Sequence, residues 1–273
     1  MNLIDDAKRL KAAQLVKKGR TVSLSRPFPV EPSIENPRPA HQFLTVMDRP
    51  NNSGAAVDYY GIMYHGTSST HIDALCHVWD ENGMWDGKKP EDNLTFSGAK
   101  YGTVDEWSDG ILTRGVLLDV PKHRGEPYVT LDKPVHGWEL EDIAKAEGIT
   151  LEPGDAIVVY SGRDAFARDH DGIWALAGGE RAGLHSSCMP FIRDNDASLL
   201  VWDMMDASPN EYGLGWGVHL VIAAYGVALV DNSLLEPLAK VCAEEGRYEF
   251  MLTVNPLFVP GGTGSPANPI AVF

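Results

Sequence analysis

Three short apolar runs, GVLLDV (115–120), DAIVVYSG (155–162) and SLLVWD (198–203), are each bounded by turn residues. Short apolar segments punctuated in this way read as buried strands. Between the first two, residues 137–147 carry a helical pattern that stops at Gly148. A second helix, beginning at Ser186 or Ser187, precedes the third run, and either hydroxyl would suit its N-cap. Strands therefore interleave with helices, and the fold class is α/β (or α+β) rather than all-β.

The rest of the chain fills in around these elements. Residues 1–19 read as a helix ending near Gly19, with apolar Leu10, Ala13 and Leu15 and with Lys17 and Lys18 suited to its C-terminus. This helix is a candidate oligomer arm. TVSLS (21–25) alternates as a strand until Pro27, and 31–56, rich in Pro, Asn and Gly, reads as a long excursion containing His41. Loops of that length are commonly functional. Residues 57–73 return to extended structure. Residues 219–232 fit either one helix or a helix followed by a strand, 233–245 are helical, and 251–259 form a late strand. No repeat or low-complexity linker divides the 273 residues, which are read as one domain.

Charge narrows the partners. With 23 basic against 38 acidic residues, a formal −15, the chain lacks the electrostatic footprint of a nucleic-acid or anionic-membrane binder. Three separated cysteines (Cys76, Cys188, Cys242) make neither a disulfide framework nor a thiolate zinc site. No apolar stretch reaches the ~18–20 residues a membrane helix needs; Leu220 to Val230 is too short. The N-terminus is polar rather than signal-like. A cytoplasmic protein is expected.

The chemistry is concentrated in YHGTSSTHIDALCHVWD, Tyr64 to Asp80. On an extended strand His71 and Asp73 project from the same face. A neutral imidazole beside a carboxylate is a clamp for Zn²⁺ or Mn²⁺, and a turn after the strand would fold His77 back over the ion. The same spacing also suits a surface cluster of hydrogen-bonding residues.

This segment resembles the HxGTHxDxPxH signature of the metal-dependent cyclase family, which includes bacterial kynurenine formamidase and isatin hydrolase. Here it stands as Thr67-x-Ser69-Thr70-His71-x-Asp73-x-Leu75-x-His77. The likeness continues through GVLLDV and LEPGDAIVVYSG (151–162) to His219-(x)11-Asp231-Asn232, which is similar to the family's His followed twelve residues later by Glu. It spans roughly residues 20–260.

The resemblance implies a swivelling β/β/α fold and a homodimer or tetramer. It implies metal ligation by His71, Asp73, His219 and Asp231, with His77 as the proton-transfer residue. The activity implied is hydrolysis of an amide or cyclic amide through metal-activated water. Three departures stand out: Thr67 at the family's first His, Ser69 for Gly and Leu75 for Pro. The missing His points to a single ion, unless His65, about 6–7 Å further back along an extended chain, is brought in by a bend. It also leaves open a non-catalytic ligand-binding member, beside a cyclase or dehydratase acting on a cyclic ketone.

Other residues are weighed by position. His65, Thr67, Trp79, His185 and Trp216 are candidate pocket residues for a small, ring-containing substrate. His123, His136 and His170 fall in polar loops and are expected in solvent. Cys76 is expected to pack as a small apolar residue. The GGTG of 261–264 reads as a turn, since it lacks the Lys and the strand–helix context of a P-loop.

Overall fold

The computed structural model describes residues 1–175, 179–210 and 212–273. In chain order the strands are β1 (Thr21–Ser23), β2 (His41–Arg49), β3 (Ser53–Gly61), β4 (His71–Asp73), β5 (Leu94–Thr95), β6 (Gly98–Ala99), β7 (Ile111–Asp119), β8 (Ala156–Tyr160), β9 (Leu199–Trp202), β10 (Ala228–Asp231), β11 (Glu249–Val254), β12 (Gly264–Pro266) and β13 (Ile270–Val272). The helices are α1 (Asp6–Ala13), α2 (Pro90–Asn93), α3 (Val120–Arg124), α4 (Gly137–Ala146), α5 (Arg163–Asp169), α6 (Cys188–Asp194), α7 (Val221–Tyr225) and α8 (Glu236–Glu245).

Nine strands form one mixed sheet in the order β1-β13-β11-β7-β8-β9-β10-β4-β12. Its centre, β7 to β10, is parallel, and antiparallel strands extend both edges. The continuous apolar character of the three runs has a direct cause: both faces of the central strands are covered. Val116, Leu118, Ile157, Val159 and Leu200 enter a core with α4, α6 and α7. Their neighbours Leu117, Val158 and Val201 enter a second core with α8 and the C-terminal Phe273. The α/β expectation is met by this sheet and its flanking helices.

Several boundaries differ from the sequence reading. α1 stops at Ala13 rather than near Gly19, because the N–H groups of Lys18 and Gly19 turn to the carbonyl of Phe273. It packs on β7 and β11 of its own chain, with Lys8 donating to Asp155 at 2.5 Å. The 31–56 excursion and the first residues of 57–73 form a long hairpin, β2 with β3, in a sheet of its own. Extended structure over 57–73 is broken at 62–70. Residues 219–232 resolve as helix then strand, because Gly226, at φ +67°, ends α7. The late strand stops at Val254, so 255–259 lie outside it. α6 begins at Cys188 without a side-chain cap; the Ser187 hydroxyl instead accepts from the Gly137 N–H at the start of α4. Among the described residues no helix is long and apolar enough to cross a membrane.

Candidate metal centre

The site forms where β10 meets β4. Antiparallel pairing sets Asp231 directly opposite His71 and Leu229 opposite Asp73. Directly opposed residues share a face, so both carboxylates and the His71 ring converge there. Ile72, between the two ligand candidates, points to the other core. His71, Asp73, His219 and Asp231 are all buried.

His65 reaches the same place by a different route. The chain bends at Gly66, at φ +143°, a conformation that disfavours a side chain. His65 Nδ1 then lies 2.9 Å from Asp73 Oδ1. The opposing strand makes room for it: a Cβ on Gly264 would come within 3.0 Å of His65 Cε1 and 2.4 Å of the Ile72 carbonyl. The GGTG segment is thus more than a turn, since its last glycine lies in β12 against the site. His77 stacks flat on His65, with ring centres 3.8 Å apart at 4°, and its Nε2 is 3.8 Å from Asp73 Oδ1.

His219 comes from the short turn before α7. Asp206 Oδ2 takes its Nδ1 and Asp206 Oδ1 accepts its backbone N–H at 2.9 Å, leaving Nε2 3.1 Å from Asp231 Oδ2. The Trp202 indole N–H donates to the other oxygen of Asp231. His71 Nδ1 sits 2.8 Å from the Ser69 carbonyl, so its Nε2 faces Asp73 at 3.4 Å and Asp231 at 3.9 Å.

Two groups of donor atoms, each within 4.8 Å of one another, result: His65, His71 and Asp73, and Asp73, His219 and Asp231. Asp73 belongs to both. Its two oxygens and His65 Nδ1 are buried and make no hydrogen bond. A buried carboxylate without donors is costly, and the nitrogen nearest to it, His65 Nδ1, is unpartnered too. That donor set fits divalent transition-metal ions.

The local field matches this geometry. Burial would push the His71 pKa down, but Asp73 and Asp231 outweigh it and hold it at about 9. Burial also opposes ionisation of Asp73, yet His77 and His71 hold its pKa well below the ordinary carboxylate value. His219 is pulled well above its ordinary value against burial by Asp206 and Asp231. His77 goes the other way: burial, with His65, His219 and His71 nearby, outweighs Asp73 and lowers it to about 4.

The other sequence candidates divide. Trp216 lies beside the cluster, its ring 6.4 Å from that of His77 and 5.3 Å from that of His219, and it is 42% exposed. Trp79 is 43% exposed, just past His77. Thr67 stands outside both donor groups, its hydroxyl donating to the Glu35 carbonyl at 2.9 Å. His185 also stands outside them; it lines a cleft of about 510 Å³ with His136 and Arg181. His136, expected in solvent, is half-buried with its ring 4.5 Å from that of His185. His123 and His170 are exposed as expected, and His41 is exposed on β2. Cys76 is buried, and burial pushes its thiol up to about 12, which suits packing rather than reaction. Asp206 and Trp202 were missed by sequence reasoning. The carboxylate just beyond the SLLVWD strand was the available signal for Asp206.

Residues 22–209 match the model of the family described as "Putative cyclase", so the chain belongs to the cyclase family. Comparison with curated proteins gives no match. Among solved structures, a protein described as a novel cyclase is 28% identical, with a TM-score of 0.85 over 100% of this chain and 92% of that one. Isatin hydrolase A from Labrenzia aggregata, bound to benzyl benzoate, is 18% identical with a TM-score of 0.65, covering 98% of each chain. A "potential metal-dependent hydrolase with cyclase activity" is 12% identical with a TM-score of 0.56, over 92% of this chain and 98% of that one. These likenesses agree with the α/β cyclase fold.

Proposed function

We propose that this chain is a metal-dependent hydrolase that cleaves the amide or cyclic-amide C–N bond of a small, ring-containing substrate. Mn²⁺ or Zn²⁺ would be held by His65, His71, Asp73, His219 and Asp231. The observation that carries the reading is Asp73, a buried carboxylate without hydrogen bonds where two donor groups overlap. That overlap favours two ions over the single ion suggested by Thr67. His65 supplies a nitrogen where Thr67 has none, and this removes the reason to read the chain as a non-catalytic member. The names of the solved relatives, an isatin hydrolase and a potential metal-dependent hydrolase, support the same class.

A divalent ion held there would lower the pKa of a water and polarise a carbonyl oxygen. The chain's own groups do the rest. The Ser69 carbonyl and Asp206 hold the Nδ1 side of His71 and His219, which aims each Nε2 inward. His77, whose Nε2 faces Asp73 at 3.8 Å, would take the proton of the attacking water at Nε2 and return it to the leaving nitrogen. Trp216 gives a flat apolar wall for a ring.

The test is metal analysis joined to product mass. Purified protein should contain a stoichiometric divalent transition metal, chelation should abolish turnover of a cyclic amide, and the product should gain one water. Full activity in chelator, or a product lighter by one water, would overturn the reading.

A further inference from the structure

A cavity of about 350 Å³ is lined by none of the donor residues of the metal centre. Its walls are aromatic: Trp85, Tyr101, Trp107 and Tyr225 reach it from three stretches of the chain. Trp85 lies against Gly226 just past α7, where a Cβ would come within 2.9 Å of the indole ring. Leu75, one of the departures from the family signature, lines the cavity too.

Two polar groups meet these rings. Ser198 marks the buried end: it is 1% exposed, and its hydroxyl has no hydrogen-bond partner. Such a group is costly unless something pairs with it. Glu106 marks the open end, where it is exposed. Its Oε1 accepts the N–H groups of Gly102 at 3.0 Å and Thr103 at 3.3 Å, which holds the carboxylate in place. Among the described residues no lysine or arginine pairs with it. Lys88, 4.9 Å above the Tyr101 ring, is paired with Asp86 at 3.5 Å.

Aromatic faces attract cations, and a carboxylate beside them adds to that attraction. An anionic ligand would meet both the carboxylate and a net charge of −15. The volume lies at the low end of the ~300–1,000 Å³ of small-molecule sites, which suits one ring rather than two.

We propose that this cavity is a binding site, separate from the metal centre, for a one-ring arylalkyl ammonium ion carrying a ring hydroxyl. The ring packs among the aromatic walls, its hydroxyl pairs with Ser198, and the ammonium pairs with Glu106.

Isothermal titration calorimetry of the metal-loaded full chain with tyramine tests this. Tyramine should bind at one site per chain, and 4-hydroxyphenylacetate, the same ring with the opposite charge, should not. 2-Phenylethylamine, without the hydroxyl, should bind ~5–10-fold more weakly, as for one lost hydrogen bond, and Ser198→Ala should erase that difference. Glu106→Gln keeps an acceptor for the two backbone N–H groups and loses only the charge. It should weaken tyramine at least ~10-fold, with circular dichroism and metal content unchanged. Should a variant fail to fold, the comparison of tyramine with 4-hydroxyphenylacetate on the wild-type chain decides. The proposal is overturned by no tyramine binding or by equal binding of the two ligands. Wild-type affinity in a folded Glu106→Gln variant would place tyramine elsewhere, the metal centre included, and would overturn it as well. So would a hydroxyl preference that survives Ser198→Ala.

Discussion

Asp206→Asn tests how the second histidine is aimed. Asp206 holds His219 twice, through Nδ1 and through the backbone N–H at 2.9 Å. A carboxylate at Nδ1 keeps the proton there, so the Nε2 lone pair is directed at the donor cluster. Asparagine has one acceptor oxygen for two donors. With that oxygen on the backbone N–H, its amide group faces Nδ1, and the ring becomes an acceptor there and a donor at Nε2. That tautomer cannot ligate a metal from Nε2. Loss of such a supporting partner typically costs 10–100-fold in metal affinity, which is about 1.4–2.8 kcal/mol. The cost should fall on the group of Asp73, His219 and Asp231, because Asp206 contacts none of His65, His71 and Asp73. Zn²⁺ titration of apoprotein against a chromogenic chelator would read the two affinities separately, with circular dichroism as the folding control. One affinity should fall and the other stay. Two wild-type affinities, or equal loss from both, would refute the reasoning.

Three further outcomes follow from the same geometry. His77→Ala should keep its metal while kcat falls ~10²–10⁴-fold, the usual range for a lost general acid–base group; metal analysis with steady-state kinetics checks both, and loss of metal would make His77 a ligand. His65→Ala should lower metal occupancy, whereas Thr67→Ala should leave it unchanged, because Thr67 reaches Glu35 and not the cluster; elemental analysis compares them. Glu147→Gln should stabilise the fold at pH 8 and hardly at pH 5. Burial raises the Glu147 pKa from 4.5 to about 8, so the stability its proton supplies is complete below the unfolded value and is lost as pH rises through about 8. Discounted for partial exposure, the gain at pH 8 is about 1–2 kcal/mol, a few degrees in Tm, read by thermal unfolding at the two pH values.

What the sequence disclosed about the fold depends on burial. DAIVVYSG is legible as a strand because both faces of β8 are covered, so Ile157 and Val158, though pointing oppositely, are both apolar. The hairpin was not legible for the opposite reason. With no buried face, β2 and β3 carry apolar residues on both sides, and the Pro, Asn and Gly residues near its tip read as loop. The end of α1 was misplaced because a distant residue decides it: the C-terminal carbonyl of Phe273 captures Lys18 and Gly19. Ser187 was misassigned as a cap because its actual partner, Gly137, is fifty positions away.

The site divides in the same way. That His71 and Asp73 share a face was readable from strand period alone; that the face is a metal site rested on the family resemblance. The place of His65 was not readable, because an extended chain carries it out of reach and only a bend returns it. Nothing local beyond Gly66 announces that bend; residues far along the chain hold it. Arg163 donates to the Thr67 carbonyl at 2.5 Å and to Asn232 Oδ1 at 2.7 Å, while the Asn232 amide donates to the carbonyls of Gly66 at 2.6 Å and Ser69 at 3.1 Å. Arg163 is itself fixed at the start of α5, where the Asp203 carboxylate accepts the N–H groups of Ser161, Gly162 and Arg163. The end of β10 therefore serves the centre twice: Asp231 faces the donor cluster, and its neighbour Asn232 clamps the bend that delivers His65. Supplying the nitrogen that Thr67 lacks thus requires more than a spare histidine nearby. It requires a chain path through 62–70, and that path is fixed by residues 163 and 232.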